Sequence, residues 1–586
     1  MYISSYLTLD TALSGVEAAQ EELDTTGQNI SNENTTDYEE QTVNLVEAPS
    51  LSIWGSSGDG AMQLGTGVDA AGISNSGDPY LDAAWRQQNA ATNSANTTQT
   101  YTQQIQTALN EPSTTGLNAQ LSTFWSDWNS LATATPNDAA AAQQAVVDDG
   151  EAVATTLNTL SATLNGDDPA DPTDPTNAPS VAGQVNDAYE GIMEGPTASG
   201  ATGGTLYNDA YTISSLNYSI VQAQAAGQTP NDLIDQRNAA LDNLSTLGNT
   251  QVQNNSDGSV TVFFGGVTGT ALISDPAGIA PGGAVPPGDN FGTYSSGGTN
   301  PGTGWAAAWQ SQFASAAGAG TTAASLASTV GGTLGSLVGL AGYSAAGFGS
   351  LGTPTFSGGD TTYTPTAATV EGTIGTLTDS LNAVAQKIAN EVNNPAVVNG
   401  GGATVALNYA FFVNGTTSTP TAPDATGITA ANIAVAPGLV AAAASQITPG
   451  TVSSNSPAGY NTPPAATATG LSNVQVSSLA TAAPAANASD NDIALDEANN
   501  AGGVGDDAYQ AFVQQVGSLA QGANTQETTQ SALQTQITNQ RQSVEGVDLS
   551  QEMSNLINEQ QSYQASAKVM NAFSTVMDAL MTVVGE

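Results

Sequence analysis

The chain of 586 residues contains no cysteine and no histidine, and it has very few basic residues. The missing cysteine excludes disulfides. Both absences together exclude Cys/His zinc sites and the Cys–His and Ser–His–Asp nucleophile systems. Against 52 acidic residues stand only Arg86, Arg237, Lys387, Arg541 and Lys568, which gives a formal net charge of −47. Such a chain has almost no cations to set against nucleic-acid phosphates or an anionic membrane surface. We therefore expect neither nucleic acid nor a membrane among its partners.

Long hydrophobic runs are also absent. The most apolar stretch, residues 323–345, is interrupted by Ser, Thr and Gly. The N-terminus has neither a basic segment nor an uninterrupted apolar segment, so we expect no cleavable signal peptide. If the protein is exported, we expect a route that does not cleave such a signal.

The composition nevertheless permits a sizeable core, because 39% of the residues are hydrophobic. Aromatic residues make up only 6%, so this core is expected to be mainly aliphatic. The scarcity of basic residues leaves three explanations open. They are an acidic exterior in which carboxylates are neutralised near pH 4, a saline exterior that screens charge, and a compositional bias of the lineage.

Both ends of the chain carry apolar residues at alternating spacings of three and four. A 3.5-residue repeat sustained over four or more heptads predicts a coiled coil. The last helix carries a second stripe beside the first, which implies more than one helical partner. We predict that the ends associate within and between subunits through Leu9, Leu13, Val16, Leu23, Ile30, Leu549, Met553, Leu556, Tyr563, Met570, Phe573, Met577, Leu580 and Met581.

The middle of the chain is different in kind. Helical spacing predicts helices over about 205–226, 231–247, 371–393 and 506–540. Alternating apolar residues predict a β-hairpin from Val252 to Phe264 that turns at Asp257-Gly258. Residues 396–489 are rich in Thr, Ala, Pro and Val and contain short β-like runs.

These patterns predict a mainly α fold with β-rich insertions, in three parts. Residues 1–45 and 546–586 form a terminal coiled-coil assembly domain. Residues 46–395 and 491–545 form a helical rod domain with the hairpin at 252–264. Residues 396–490 form an outer, variable, β-rich module. The reason is topological, because an insertion flanked by two helical ends closes on itself only when those ends are neighbours.

Three local features have ordinary structural interpretations. Arg237, in the run Asp235-Gln236-Arg237, is interpreted as one ion pair or an anchor between helices. Phe124, Trp125 and Trp128 lie at helical spacing and indicate a core or a subunit contact. The aspartates of 167–174 lack the ligand spacing of a calcium loop and indicate a solvated turn. We expect no metal, no cofactor and no catalytic residue.

Two terminal segments carry a resemblance to known proteins. The run ALSGVEAAQEELDTTGQNISNENTTDYEEQTV (12–43) resembles the terminal motif of bacterial axial flagellar proteins. The run GVDLSQEMSNLINEQQSYQASAKVMNAFSTVMDALM (546–581) resembles their other signature. Internal runs such as GTGVDAAGI (65–73), NDLIDQRNAALDNLS (231–245) and DNDIALDEANN (490–500) are similar to the family of flagellar hook-associated protein 1.

The resemblance implies a flagellin-like structural protein that is not an enzyme. It would form a ring of copies at the junction between hook and filament, polymerising through its terminal helices. Implied partners are further copies, the flagellar hook protein, hook-associated protein 3, an export chaperone that holds the C-terminal helices, and the type III export apparatus. The implied location is outside the cell, in the flagellum, with a role in its assembly and in motility.

Other functions remain as alternatives. One is another axial flagellar protein, either hook-associated protein 3 or a hook or rod type. A surface adhesin or surface-layer protein has a similar composition, although it does not need helices at both termini. An enzyme that uses carboxylate pairs on an exposed insertion has no supporting motif.

Overall fold

The structure is a computed structural model. It describes residues 5–35, 38–53, 62–134, 138–165, 180–193, 204–266, 271–274, 323–344, 347–348, 369–393, 411–415, 427–437, 439–440 and 504–584. Its helices are α1 Ser5–Asn32, α2 Pro79–Leu109, α3 Leu117–Thr133, α4 Ala139–Asn165, α5 Val181–Met193, α6 Thr205–Ala225, α7 Asn231–Leu247, α8 Ala323–Val330, α9 Gly332–Ala341, α10 Thr373–Asn393, α11 Val504–Glu545 and α12 Leu549–Val584.

The strands are short and form small antiparallel sheets. They are β1 Gln41–Glu47, β2 Leu51–Ile53, β3 Met62–Leu64, β4 Val68–Asn75, β5 Thr250–Asn254, β6 Val260–Phe264, β7 Gly342–Ser344, β8 Gly347–Phe348, β9 Thr369–Glu371, β10 Phe412–Asn414 and β11 Ile433–Val435. Strand β1 pairs with β4 and β2 with β3, so this ribbon continues directly from the end of α1. The fold is mainly helical, as the sequence predicts.

The long helices α2 and α11 pack against each other. Pro79 occupies the first turn of α2, and the Asp78 carboxylate accepts a hydrogen bond from the Tyr80 backbone N–H, which is a favourable N-terminal cap. Trp85 Nε1 donates to Thr538 Oγ1 at 3.0 Å, and Thr92 Oγ1 donates to the Gln530 carbonyl at 3.2 Å. As the numbers rise on α2 they fall on α11, so the two helices are antiparallel.

Aromatic side chains form the centre of the core. Phe124 and Trp128 of α3 are fully buried, with ring centroids 6.2 Å apart in an edge-to-face arrangement. Trp125 is also buried. The interpretation of these three residues as core is confirmed.

Phe411 and Phe412 pack against the same α3 residues. The Phe411 ring lies 5.8 Å from both Phe124 and Trp128, and Phe412 lies 5.9 Å from Phe124. The Asn393 side chain, at the end of α10, bonds to the backbone of both phenylalanines. Most of the proposed outer module, 396–490, lies outside the described residues. The described parts containing β10 and β11 pack on the helical core, where their apolar residues contact α3, α4 and α10.

The predicted hairpin is present as β5 and β6, with Val252 opposite Val262. Gly258 in its turn has φ of +83°, a conformation that favours glycine. Arg237 of α7 donates to the Gly258 carbonyl at 2.7 Å and to Asn217 Oδ1 at 3.3 Å. Of its two interpretations, the anchor is the one found. The predicted helices at 205–226, 231–247, 371–393 and 506–540 are confirmed as α6, α7, α10 and α11, while the Asp-rich run 167–174 lies outside the described residues.

Among the described helices, none combines the length and the apolar character needed to cross a membrane.

Candidate assembly site at the paired termini

The terminal helices α1 and α12 lie against each other in antiparallel orientation. Thr26 Oγ1 donates to Glu559 Oε1 at 3.0 Å, and Asn29 Nδ2 donates to Glu552 Oε2 at 3.0 Å. Further along, a Cβ placed on Gly15 would lie 3.0 Å from Ser566 Oγ, so the helices approach closely there. Contacts thus join the two ends of the chain across more than 500 residues.

Asn29 connects α1, the β-ribbon and α12. It is 1% exposed. Its Nδ2 also donates to the Gln41 carbonyl at 2.8 Å, while its Oδ1 accepts from the Gln41 N–H at 3.0 Å and from the Tyr38 hydroxyl at 2.9 Å. All the hydrogen-bonding capacity of this amide is in use, which fixes where α1 ends and where the ribbon begins.

The residues of α1 that face α12 are small or polar. Gly15, Ala19, Thr26 and Asn29 follow one another at heptad positions and face α12 or are buried with that face. Sequence reasoning selected the neighbouring apolar stripe and missed these residues. A usable signal was available, since Asn29 stands inside the run that resembles the flagellar terminal motif.

The contact also gathers carboxylates. Burial raises the pKa of Glu559, and Glu22 and Glu552 add to the rise. Burial likewise raises the pKa of Glu40, with contributions from Glu552 and Asp548. The only basic residue of either terminal helix is Lys568, which is exposed. The pair therefore carries like charges that are not neutralised within it.

Of the fourteen predicted interface residues, the twelve whose side chains the structure describes are exposed or half-buried, and none is fully buried. Leu13 of α1 is 42% exposed, and Leu9, Val16, Leu23 and Ile30 are half-buried. On α12, the exposed residues are Leu549, Met553 and Tyr563, and the half-buried residues are Leu556, Met570, Phe573 and Met577. Leu580 and Met581 lie on α12, but their side chains are outside the described part of the chain. The terminal pair thus leaves much apolar surface uncovered.

A buried charge cluster lies where α2, α7 and α11 meet, next to the segment that leads into α12. Asp242 of α7 lies between two guanidinium groups, with Arg86 Nε 2.6 Å from Oδ1 and Arg541 Nη1 2.6 Å from Oδ2. Arg541 Nε also lies 2.8 Å from Glu545 and 3.1 Å from Asp82. These contacts join α2, α7 and α11 where little water is available to weaken them.

The electrostatics of the cluster reflect competition between burial and pairing. Burial raises the pKa of Asp82 to about 6, although Arg86 and Arg541 oppose the rise. Burial alone would lower the pKa of Arg541, but Asp242 and Asp82 outweigh it and raise that pKa. The arginine therefore stays charged in the interior. The cluster was not predicted from the sequence, although an arginine is conspicuous in a chain with five basic residues.

The end of α11 is tied to the start of the ribbon. The Glu545 carbonyl accepts from the Glu40 N–H at 2.8 Å and from Ser76 Oγ at 3.1 Å. Glu545 Oε1 accepts from the Asp78 N–H at 3.0 Å. Because α12 begins four residues later, these bonds direct it back along α1.

Comparisons with known proteins find matches to several parts of the chain. The family model described as the FlgK helical domain of flagellar hook-associated protein matches residues 102–169 and 205–403. The model for the C-terminal part of the flagellar basal body rod proteins FlgEFG matches residues 538–583. Flagellar hook-associated protein 1 of Bacillus subtilis (strain 168) is 29% identical over 257 residues, which are 44% of this chain and 45% of that protein.

In these segments the chain is similar to flagellar hook-associated proteins of the FlgK type.

A second FlgK-family relative, flagellar hook-associated protein 1 of Escherichia coli (strain K12), is 38% identical over 77 residues, 13% of this chain and 14% of its own. The structure of the flagellar hook junction protein FlgK from Burkholderia pseudomallei aligns with a TM-score of 0.33 and 18% identity, over 57% of this chain and 47% of that one. The matched segment spans less than half the length of each curated FlgK-family relative named here. The similarity to these proteins is carried by the sequence matches and not by the structural alignment.

Proposed function

We propose that this protein is a structural component of the bacterial flagellum that forms the junction between hook and filament. The observation that carries the proposal is the occurrence in one chain of the FlgK helical-domain match and the axial-protein match on α12. The proposed role is mechanical and not enzymatic. Location outside the cell, in the flagellum, and export without a cleaved signal are parts of the same proposal.

The proposed means of assembly is a ring of copies that polymerise through α1 and α12. It is supported by the uncovered apolar residues on the outer sides of the pair, such as Leu13 and Met553. Apolar surface of this kind is stabilised when a neighbouring helix buries it. The proposal includes packing of α1 and α12 as a coiled coil against helices of neighbouring subunits. It also includes the three domains and the fourteen interface residues predicted from the sequence.

The proposed partners are the hook protein on one side and hook-associated protein 3 on the other. Before assembly, a flagellar export chaperone would hold the C-terminal helix and deliver the chain to the type III export apparatus. Methionines at 570 and 577 suit such exchange, because an unbranched side chain adapts to partners of different shape.

The direct test is electron microscopy of a strain that lacks this protein. We expect hooks without filaments, with flagellin shed into the medium. Filaments of normal length and number would refute the junction role. In a strain that lacks hook-associated protein 3, this protein should remain at hook tips. Its absence there would favour the alternative that it is itself of the hook-associated protein 3 type.

The assembly helix is tested by the double variant Met570→Asp/Met577→Asp. Two carboxylates on this half-buried stripe should abolish motility in the complemented strain, because a buried unpaired charge is strongly unfavourable. The matched control, Asn571→Asp/Thr575→Asp, adds the same charge on the exposed side of α12 and should swim. Secreted protein is quantified in both cultures. Normal swimming by the first variant would rule out α12 as the assembly element.

A further inference from the structure

A cavity of about 530 Å³ lies between the start of α2, helix α7 and the β5–β6 hairpin. Its walls include Arg86 of α2, Arg237 of α7 and Val252 of β5. Ala83 and Gln87, one helical turn apart, are exposed at its edge, so the cavity is reached from solvent. Its volume is within the range of pockets that hold small ligands.

Arg237 is a buried cation in this wall without an anionic partner. It is 6% exposed, and its hydrogen bonds go to two neutral oxygens, those of Gly258 and Asn217. Among the described residues it forms no ion pair, and its Nε has no hydrogen-bond partner. A buried charge is normally compensated by an opposite charge. Burial, with a smaller effect of Arg86, lowers the pKa of Arg237 to about 10, so it remains a cation at neutral pH.

Arg86 lines the same cavity and is 5% exposed. Its Nε pairs with Asp242, but its Nη2 lies 3.6 Å from Asp82, beyond hydrogen-bonding distance, and has no hydrogen-bond partner in the described part of the chain. Two guanidinium groups with unused donor capacity therefore line one solvent-reached cavity. Guanidinium groups match the geometry of carboxylate and phosphate oxygens.

The opposing charges are Glu39 and Asp82, which also line the cavity. Glu39 already accepts hydrogen bonds from Asn75 and Asn238. Burial raises the pKa of Glu39 to about 6 and that of Asp82 to about 6. Below that pH these walls lose negative charge while the arginines keep theirs.

We propose that this cavity binds a small oxyanion of the carboxylate or phosphate type, held by Arg237 and Arg86. The site is separate from the terminal pair, so it adds a ligand to a protein whose proposed role is otherwise mechanical. Binding should be tighter at pH 5.5 than at pH 7.5, since Glu39 and Asp82 repel the anion less when protonated.

The test is isothermal titration calorimetry of the full chain with sodium phosphate and, separately, sodium acetate, at constant sodium chloride and pH 7.5. We expect saturable binding of one anion per chain with at least one of the two salts, and their relative affinities identify the oxyanion class. Sodium sulfate, whose charge is constant over this range, is the probe for comparing pH 5.5 with pH 7.5.

Two variants locate the site. Arg237→Gln removes the uncompensated cation and should weaken binding at least about tenfold. Ala83→Leu narrows the edge of the cavity while both arginines remain, and it serves if Arg237→Gln does not fold. Lys387→Gln removes an exposed cation elsewhere and should bind as the parent does. Absence of saturable binding with every anion, or unchanged affinity in Arg237→Gln or Ala83→Leu, would overturn the proposal. Neither result bears on the junction role, which is tested in cells.

Discussion

The proposed helical rod and the terminal pair formed by α1 and α12 differ in how their side chains are buried and their charges neutralised. In the rod, Phe124, Trp128, Phe412 and Tyr509 are buried by other parts of one chain, and the Arg541 cluster is neutralised from within. In the terminal pair, the inner contact consists of small, polar and acidic residues, and the larger apolar residues are half-buried or exposed. The helical core is therefore complete within one subunit, whereas the terminal pair leaves apolar surface uncovered.

We expect Phe412→Ala to lower the unfolding free energy more than any other variant here, because the Phe412 ring is fully buried. The variant tests whether β10 belongs to the core. Removing a fully buried phenylalanine ring costs about 3–5 kcal/mol of unfolding free energy. Urea denaturation followed by circular dichroism measures the change. Phe412→Leu should recover most of the loss. A loss below about 1 kcal/mol for the alanine variant would place the 411–415 segment outside the core.

Asp242→Asn tests the internal neutralisation of the rod. It leaves Arg86 and Arg541 in the interior without their shared anion. The unfolding free energy should therefore fall by about 3 kcal/mol. The same denaturation experiment applies. The control is Asp578→Asn, on the exposed side of α12, where the change should be within about 0.5 kcal/mol. Equal stability of the two variants would show that the cluster contributes nothing net.

Asp235→Asn tests the pH response where the rod meets the terminal pair. Burial, with the nearby Glu39 charge next, raises the pKa of Asp235 to about 7. The folded protein therefore holds this proton more tightly than the unfolded chain, and the stability contributed is lost as pH rises from about 4 to about 7. We expect the variant to be more stable than the parent at pH 8 by about 2 kcal/mol, after allowance for solvent screening. The same difference at pH 4 and pH 8 would contradict this assignment.

Thr26→Val should give the smallest effect, because it removes one hydrogen bond from the unfinished pair. In an isolated subunit, the free energy of opening the terminal pair should fall by about 1 kcal/mol or less. Hydrogen exchange of α1 amides is the suitable measurement, since global unfolding need not report on the terminal pair. Thr8→Val, in the first turns of α1, serves as the comparison. A loss of several kcal/mol would mean that the pair is as integrated as the rod.

The spacing of apolar residues along the chain predicted the helices and the hairpin well, but it predicted the contacts between distant segments poorly. The 3.5- and 3.6-residue spacings located α1, α7, α10, α11 and α12, and the alternation around Asp257-Gly258 located the hairpin. These signals are local because each depends on residues within a few turns. The seam of the terminal pair escaped prediction because Gly15, Thr26 and Asn29 do not look like core residues.

Contacts between distant segments had no local signal at all. Arg86 and Asp242 are 156 positions apart, and Asp242 and Arg541 are 299 apart. Phe411 and Phe412 lie in a stretch whose composition does not predict their contact with α3. These contacts depend on how distant segments pack together, and the periodicity of a single sequence does not show that packing.

The bond between the Asp78 N–H and the Glu545 side chain spans 467 positions, and it has a consequence for the order of folding. The start of α2 is held by a residue that lies far along the chain from it. Contacts of such high sequence separation form slowly, because the whole intervening loop must close first. The start of α2 therefore acquires this bond only after the segment around Glu545 has folded back onto it, which is late in the folding of the chain.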